Sequence, residues 1–223
     1  MSSTITKLTP TSLAALLSAR ICHDLISPVG ALGTALEILD DPANAEMHPD
    51  AMDLVRTSSR QATAKLKFLR LAFGAGGSAP GVIGVEEIKS LANDMFEPAK
   101  PDLAWDIDGA ATADEGGIDE DRTRILLNLI MLAVQAAPRG GVVTVSYRRK
   151  DGGEAFTLTA EGNRVRLDAP IARALSRKMP EDGFDGRTIQ PLYTAMLAQE
   201  AGGTVHAEAT DAVVTFGAHF PAV

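Results

Sequence analysis

The sequence predicts a multidomain α+β protein with an N-terminal helical hairpin and a C-terminal α/β sandwich. Three observations lead to this fold class. Residues 11–74 contain two long segments with helical periodicity, and a glycine-rich segment follows them. The remaining chain alternates helix and strand signals, which is typical of helices packed on one face of a mixed sheet.

The first two helices form the predicted hairpin. We expect residues 1–10 to be a flexible tail and one helix to run from Thr11 to about Leu39, with Thr11 or Ser12 as its cap. A turn at 44–49 leads to a second helix from Asp50 to Phe73. The first helix carries one apolar stripe: Leu13, Leu17, Ile21, Leu25, Val29, Leu32, Leu36 and Leu39. A single hairpin buries such a stripe poorly, so we predict a homodimer that pairs residues 11–74 of two chains in a four-helix bundle.

Residues 75–83 read as a linker of small residues, and residues 84–223 as a second domain. We predict helices at 85–96, 119–136, 167–178 and 189–201. Strands are predicted at 103–107, 142–148, 155–160, 204–209 and 212–220.

Composition excludes several classes of function. The 223 residues carry a net charge of −8, which argues against nucleic acid and anionic membrane surfaces as partners. No apolar run approaches the roughly 20 residues needed to span a bilayer, and the N-terminus lacks a signal-peptide layout. Cys22 is the only cysteine and the histidines lack metal-ligand spacing, so we expect a cytoplasmic protein without a metal site.

His23 is the candidate nucleophile. It lies about 170° from the centre of the apolar stripe, among Ala19, Arg20, Ile26, Ser27 and Gly30, so it faces water or a partner. Asp24 follows it directly, and a carboxylate there can orient the imidazole or take its proton. Pro28 inside the helix costs a hydrogen bond, which indicates that something other than stability keeps it.

The segment from His23 to Val29 resembles the phospho-acceptor box of sensor histidine kinases, His-Glu/Asp-x-x-Thr/Asn/Ser-Pro-hydrophobic. The order of elements in 84–223 is similar to the ATP-binding domain of the same kinases. The resemblance implies that His23 accepts a phosphoryl group and that a nucleotide pocket once stood in the second domain.

That pocket departs from the kinase pattern. Asn128 matches the first asparagine of the kinase box, but the second, which helps to hold Mg²⁺, is replaced by Leu132. The aspartate that reads adenine is replaced by Ala160, although Gly162 of the same motif remains. The glycine-rich lid is replaced by residues 188–191, which end in a proline.

An acceptor hairpin joined to a degenerate kinase domain resembles the dimeric histidine phosphotransferases of bacterial phosphorelays, which act in cell-cycle control. The resemblance implies transfer of phosphoryl between the receiver of a hybrid kinase and those of response regulators, through His23 and without ATP. Mg²⁺ would come with the receiver, and this chain would bind no cofactor. Asp24 would orient the imidazole, Arg20 would contact phosphoryl oxygens and Ser27 would align water. The apolar surface on which a helix of the receiver packs would consist of Ala19, Ile26 and Gly30.

Three alternatives stay open from the sequence. The chain could be an ATP-dependent autokinase with a rebuilt pocket, or a non-catalytic dimeric scaffold that binds a regulator. Residues 84–223 could also form an unrelated α+β domain.

Overall fold

The structure is a computed structural model that describes residues 8–74, 81–97, 101–107, 117–150 and 153–222. It confirms a mixed fold with a helical N-terminal part and a C-terminal sheet covered by helices. Across those residues, no helix combines the length and the apolar character needed to cross a membrane.

The N-terminal hairpin consists of α1 (Pro10–Asp40), a 3-10 turn (Pro42–Met47) and α2 (His48–Phe73). The helix cap differs from the prediction: Thr9, and not Thr11 or Ser12, caps α1, because its hydroxyl accepts the amide of Ser12 at 3.1 Å. Pro10 then occupies the first helical position, where a missing N–H costs nothing. For the same reason Pro49, predicted in the turn, lies inside the first turn of α2.

The hairpin buries only part of its apolar surface. The two helices pack against each other, with Pro28 and Ala35 buried on α1 and Ala51 and Ser58 buried on the part of α2 that precedes Phe68. Val29 and Leu36 of the predicted stripe stay open instead, at 55% and 52% exposure, and Leu66 on α2 is 56% exposed. One hairpin therefore leaves an apolar row uncovered, as the sequence predicts.

The C-terminal part contains a five-stranded sheet that consists of β2 (Asp102–Ile107), β4 (Val142–Lys150), β5 (Gly153–Glu161), β6 (Thr204–Ala209) and β7 (Val213–Phe220). The strands lie in the order β2-β4-β5-β7-β6. Strands β2 and β4 are parallel and the other pairs are antiparallel. The helices are α3 (Val85–Phe96), α4 (Glu120–Ala136), α5 (Ala169–Leu175) and α6 (Ile189–Glu200).

Two elements differ from the sequence prediction. A small antiparallel sheet joins β1 (Val82–Gly84) to β3 (Gly117–Asp119), so the expected linker 75–83 ends in a strand. Residues 75–80 lie outside the described residues. The helix predicted at 167–178 is shorter, because Ser176 caps it and Arg177 takes a positive φ of 57°.

One core connects the hairpin to the second domain. Phe68, Leu69 and Ala72 at the end of α2 belong to the same buried cluster as α3, α4 and the sheet. Phe68 meets Phe96 edge-on at 5.6 Å between ring centroids, and Phe73 stacks on Tyr193 at 5.6 Å. Helix α4 lies between the sheet and α2, so the hairpin is packed directly on the domain that follows it.

Candidate functional site

His23 is displayed on the outside of the hairpin. Its side chain is 81% exposed, on the solvent side of α1. Four of the predicted neighbours are exposed with it: Ala19, Ile26, Ser27 and Gly30. The imidazole is therefore accessible to another molecule, and its surroundings are small or apolar side chains.

Asp24 connects the histidine to an arginine. Its Oδ1 lies 3.3 Å from Nδ1 of His23, and its Oδ2 accepts a 2.9 Å hydrogen bond from Nε of Arg20. An ionised carboxylate only accepts hydrogen bonds, so this contact places the imidazole proton on Nδ1 and leaves the lone pair on Nε2. A neutral imidazole held in this way is a nucleophile at Nε2.

Arg20 is placed differently from a free surface arginine. Its side chain and that of Asp24 are both largely buried, and the pair spans one helical turn. The guanidinium donates its hydrogen bond to the carboxylate, so Arg20 is placed to hold the side chain of Asp24. A contact between Arg20 and phosphoryl oxygens stays a prediction.

Lys65 joins this group from α2, and the sequence analysis missed it. Its ammonium donates a 3.0 Å hydrogen bond to the backbone carbonyl of Asp24. In a regular α-helix that carbonyl accepts the amide of residue 28, which is proline and has none. A proline four residues after a candidate catalytic residue was the available signal, but it does not say which side chain supplies the missing donor.

Three of the four kinase-like pocket positions are covered by protein. Asn128, Leu132 and Ala160 are all buried, with at most 1% exposure. Gly162 is exposed but packs on the 140–141 turn, because a Cβ atom there would collide with the carbonyl oxygen of Gly140. The three buried side chains are covered by other parts of the protein in this structure.

The side-chain amide of Asn128 donates hydrogen bonds inside the protein. Its Nδ2 donates to the carbonyls of Ala72 at 2.8 Å and Arg124 at 2.9 Å. Since α2 ends at Phe73, the carbonyl of Ala72 has no amide four residues later within the helix, and Asn128 supplies the donor. The asparagine therefore fastens the hairpin to α4.

Residues 188–191, at the position of the glycine-rich kinase lid, contact Asn128 through Gln190. Gln190 is fully buried, and its Nε2 donates to the backbone oxygen of Asn128 at 2.9 Å and to Oδ1 of Asn128 at 3.0 Å. Pro191 lies in the first turn of α6, where the absence of an amide costs little. The contact between Asn128 and Gln190 spans 62 positions, which no local pattern predicts.

Two ionisable groups near α6 have shifted pKa values. Burial alone would raise the pKa of Asp185, but hydrogen bonds from Thr188 and Arg187 outweigh it and lower the pKa below its ordinary 3.8. For Tyr193, burial raises the pKa above 10.0, against the opposing effect of Arg124, whose guanidinium donates to the phenol oxygen at 2.6 Å. Both groups hold structure around α6.

The described ranges contain no group of three or more histidine, cysteine, aspartate or glutamate side chains that could hold an ion. At the pocket position where histidine kinases place a magnesium ligand, the side chain of Leu132 offers no oxygen.

The comparisons with known proteins agree with this anatomy. The family model described as "Histidine phosphotransferase C-terminal domain" matches residues 85–213. The protein phosphotransferase ChpT of Brucella abortus (strain 2308) is 37% identical over 206 residues, which cover 92% of this chain and 94% of that protein.

Solved structures give the same result. A bacterial phosphotransferase determined at 1.7 Å has a TM-score of 0.81 and 33% identity, over 97% of this chain and all of that one. Full-length ShkA in complex with AMPPNP has a TM-score of 0.50 and 21% identity, over 96% of this chain and 46% of ShkA. At that identity the second likeness concerns the fold alone.

Proposed function

The chain belongs to the histidine phosphotransferase family and is a phosphotransferase; on that premise we propose that it carries phosphoryl groups between receiver aspartates through phosphohistidine at His23. The donor is the receiver of a hybrid sensor kinase, and the acceptors are receivers of response regulators. The observation that carries the proposal is an imidazole, 81% exposed, whose Nδ1 is engaged by Asp24.

The transfer step follows from that geometry. The Nε2 lone pair of His23 attacks the phosphorus of an aspartyl phosphate on the docked receiver. The N–P bond forms as the bond between phosphorus and the aspartate oxygen breaks, which releases the receiver carboxylate. Nδ1 keeps its proton throughout, and Asp24 stabilises the positive charge that develops on the ring.

The return step reverses these bonds. A carboxylate oxygen of the second receiver attacks phosphorus, and the N–P bond breaks to restore the neutral imidazole. Mg²⁺ is held by the receiver in this proposal and neutralises the phosphoryl charge during transfer. A helix of the receiver packs on the apolar surface formed by Ala19, Ile26 and Gly30. Ser27 lies beside this surface and aligns water for dephosphorylation.

The same proposal includes a homodimer through the hairpin. On α1, Val29 and Leu36 lie about 100° from the buried line through Pro28 and Ala35. On α2, the row with Met52 and Leu66 lies about 90° from the line through Ala51 and Ser58, in the same rotational sense. Because the two helices are antiparallel, both rows lie on one side of the hairpin.

A second copy is the proposed partner for this apolar face. Such a pair gives the four-helix bundle in which helical hairpins usually bury two stripes. His23 lies on another side of α1, so it stays accessible in the dimer. This arrangement lets each chain present its own histidine.

Transfer without ATP is supported by the closed pocket. Nδ2 of Asn128 donates to the carbonyl of Ala72 and its Oδ1 accepts from Nε2 of Gln190, so both polar atoms of this side chain are engaged within the protein. We therefore assign the second domain a structural role, in a cytoplasmic protein whose phosphoryl comes only from other proteins.

The test uses receiver domains that carry radiolabelled aspartyl phosphate. We expect label to move to the wild-type chain within minutes and to be absent from His23→Ala. His48→Ala is the matched control, since it removes another hairpin histidine, and it should accept label like wild type. Label on the His23→Ala chain, or label that requires ATP, would overturn the proposal.

A further inference from the structure

The contact between Lys65 and Asp24 repairs a specific gap in α1. Pro28 is buried and has no amide, so the carbonyl of Asp24 lacks the donor that an α-helix normally supplies from four residues later. Lys65 Nζ lies 3.0 Å from that oxygen. The donor comes from α2, 41 residues along the chain, so the gap is filled by the second helix of the hairpin.

Asp24 is consequently held at two points. Lys65 binds its backbone carbonyl, and Arg20 binds Oδ2 of its carboxylate at 2.9 Å. The remaining carboxylate oxygen, Oδ1, is the one that faces Nδ1 of His23. Any movement of Asp24 about the helix axis therefore changes the orientation of an imidazole that has little other support at its exposed surface.

We propose that Lys65 is a positioning residue for phosphotransfer, which acts through the Asp24 carbonyl freed by Pro28 to fix the tautomer and direction of the His23 imidazole. This inference rests on the proposed function of His23. Hydrogen bonds that involve a charged group are about twice as strong as neutral ones, so an ammonium is a suitable replacement for a lost amide. The side chain of Lys65 is half-buried, and its ammonium donates to a backbone carbonyl.

The proposal makes Pro28 and Lys65 interdependent. In Pro28→Ala the amide of residue 28 returns and can donate to Asp24 within the helix. The carbonyl then no longer depends on Lys65. Removing the ammonium should consequently slow labelling in the natural sequence and have little effect in the Pro28→Ala background.

The experiment measures four chains: wild type, Lys65→Met, Pro28→Ala and the double variant. The probe is phosphoramidate, which transfers phosphoryl to histidine as its P–N bond breaks and ammonia leaves. The rate of His23 labelling is followed across pH, and long-range proton–nitrogen NMR of the imidazole reports whether Nδ1 carries the proton. Circular dichroism confirms that each chain is folded.

We expect Lys65→Met to label about three- to tenfold more slowly, the range that the loss of a typical hydrogen bond gives, and to show a mixed tautomer. In the Pro28→Ala background the same change should lower the labelling rate by less than about twofold. Lys65→Arg keeps a donor and should recover most of the rate. Lys67→Met, which removes an exposed charge on the same helix, should match wild type.

The outcomes separate this inference from the function on which it rests. Equal losses from Lys65→Met with proline or alanine at 28 would mean that the charge and not the carbonyl contact matters, and would overturn the inference. So would a wild-type rate and tautomer in Lys65→Met, or no recovery in Lys65→Arg. If wild type takes no phosphoryl from phosphoramidate or from phosphorylated receivers, the proposed function itself fails.

Discussion

Replacing Asn128 by alanine tests whether this residue, which matches an asparagine of the kinase box, holds the hairpin to the second domain. The change removes both hydrogen bonds that the side chain donates, to the carbonyls of Ala72 and Arg124, and the one that it accepts from Gln190. The carbonyl of Arg124 keeps its helical amide partner. The carbonyl of Ala72 lies at the end of α2 and has no such partner within the helix, so it loses the donor that Asn128 supplies.

The magnitude follows from the groups left without partners. A buried carbonyl that loses its donor costs about 1–3 kcal/mol, and a further buried hydrogen bond about 0.5–1.5 kcal/mol. The Asn128→Ala chain should therefore unfold with a free energy lower by about 2–4 kcal/mol. The amides in the last turn of α2 should also exchange with solvent faster.

Urea denaturation followed by circular dichroism, with hydrogen exchange on the last turn of α2, measures both effects. Asn163→Ala is the matched control, because that asparagine is exposed in a loop and its loss should change the free energy by less than about 0.5 kcal/mol. The reasoning is refuted if Asn128→Ala is as stable as the control. It is refuted also if the variant loses ATP affinity that the wild type possesses.

Three further predictions concern other parts of the chain. Leu36→Asp or Leu66→Asp should give monomers in light scattering, whereas Val82→Asp, which is exposed on the second domain, should stay dimeric; a monomeric wild type would contradict the assembly. Asp185 has a lowered pKa, so its contribution to stability is present above pH 3.8 and is lost as pH falls through the lower folded value. The stability difference between wild type and Asp185→Asn should thus shrink on acidification, and a constant difference would contradict the assignment. Calorimetry with millimolar Mg-ATP should show no binding to the wild type, and measurable heat of binding would reopen the autokinase alternative.

The parts of the fold that the sequence predicts well are those with a local signal. Helical periodicity predicts α1 and α2 within about two residues, and α3 begins and ends where the pattern does. The face that carries His23 also follows from periodicity alone, because the position of a side chain around a helix depends only on its spacing from the buried residues. Exposure of the candidate nucleophile was therefore predictable without coordinates.

The parts that could not be predicted depend on contacts between distant residues. Lys65 reaches Asp24 across 41 positions and Gln190 reaches Asn128 across 62, and neither pair leaves a local pattern. The strand Val82–Gly84 is short and exists through its pairing with Gly117–Asp119, so its own three residues carry too little signal. The sequence shows that residues of the kinase pocket are replaced. It does not show that Asn128, which matches the kinase pattern, holds α2 and α4 together.

The most direct test is a two-step chase without nucleotide. A labelled receiver loads the chain, the receiver is removed, and a second, unlabelled receiver is added to the purified protein. We predict that acid-labile, base-stable label appears on the wild-type chain at His23 and then moves to the second receiver, while His23→Ala carries none. Label that stays off the wild-type chain, or that reaches the second receiver equally well through His23→Ala, would contradict it.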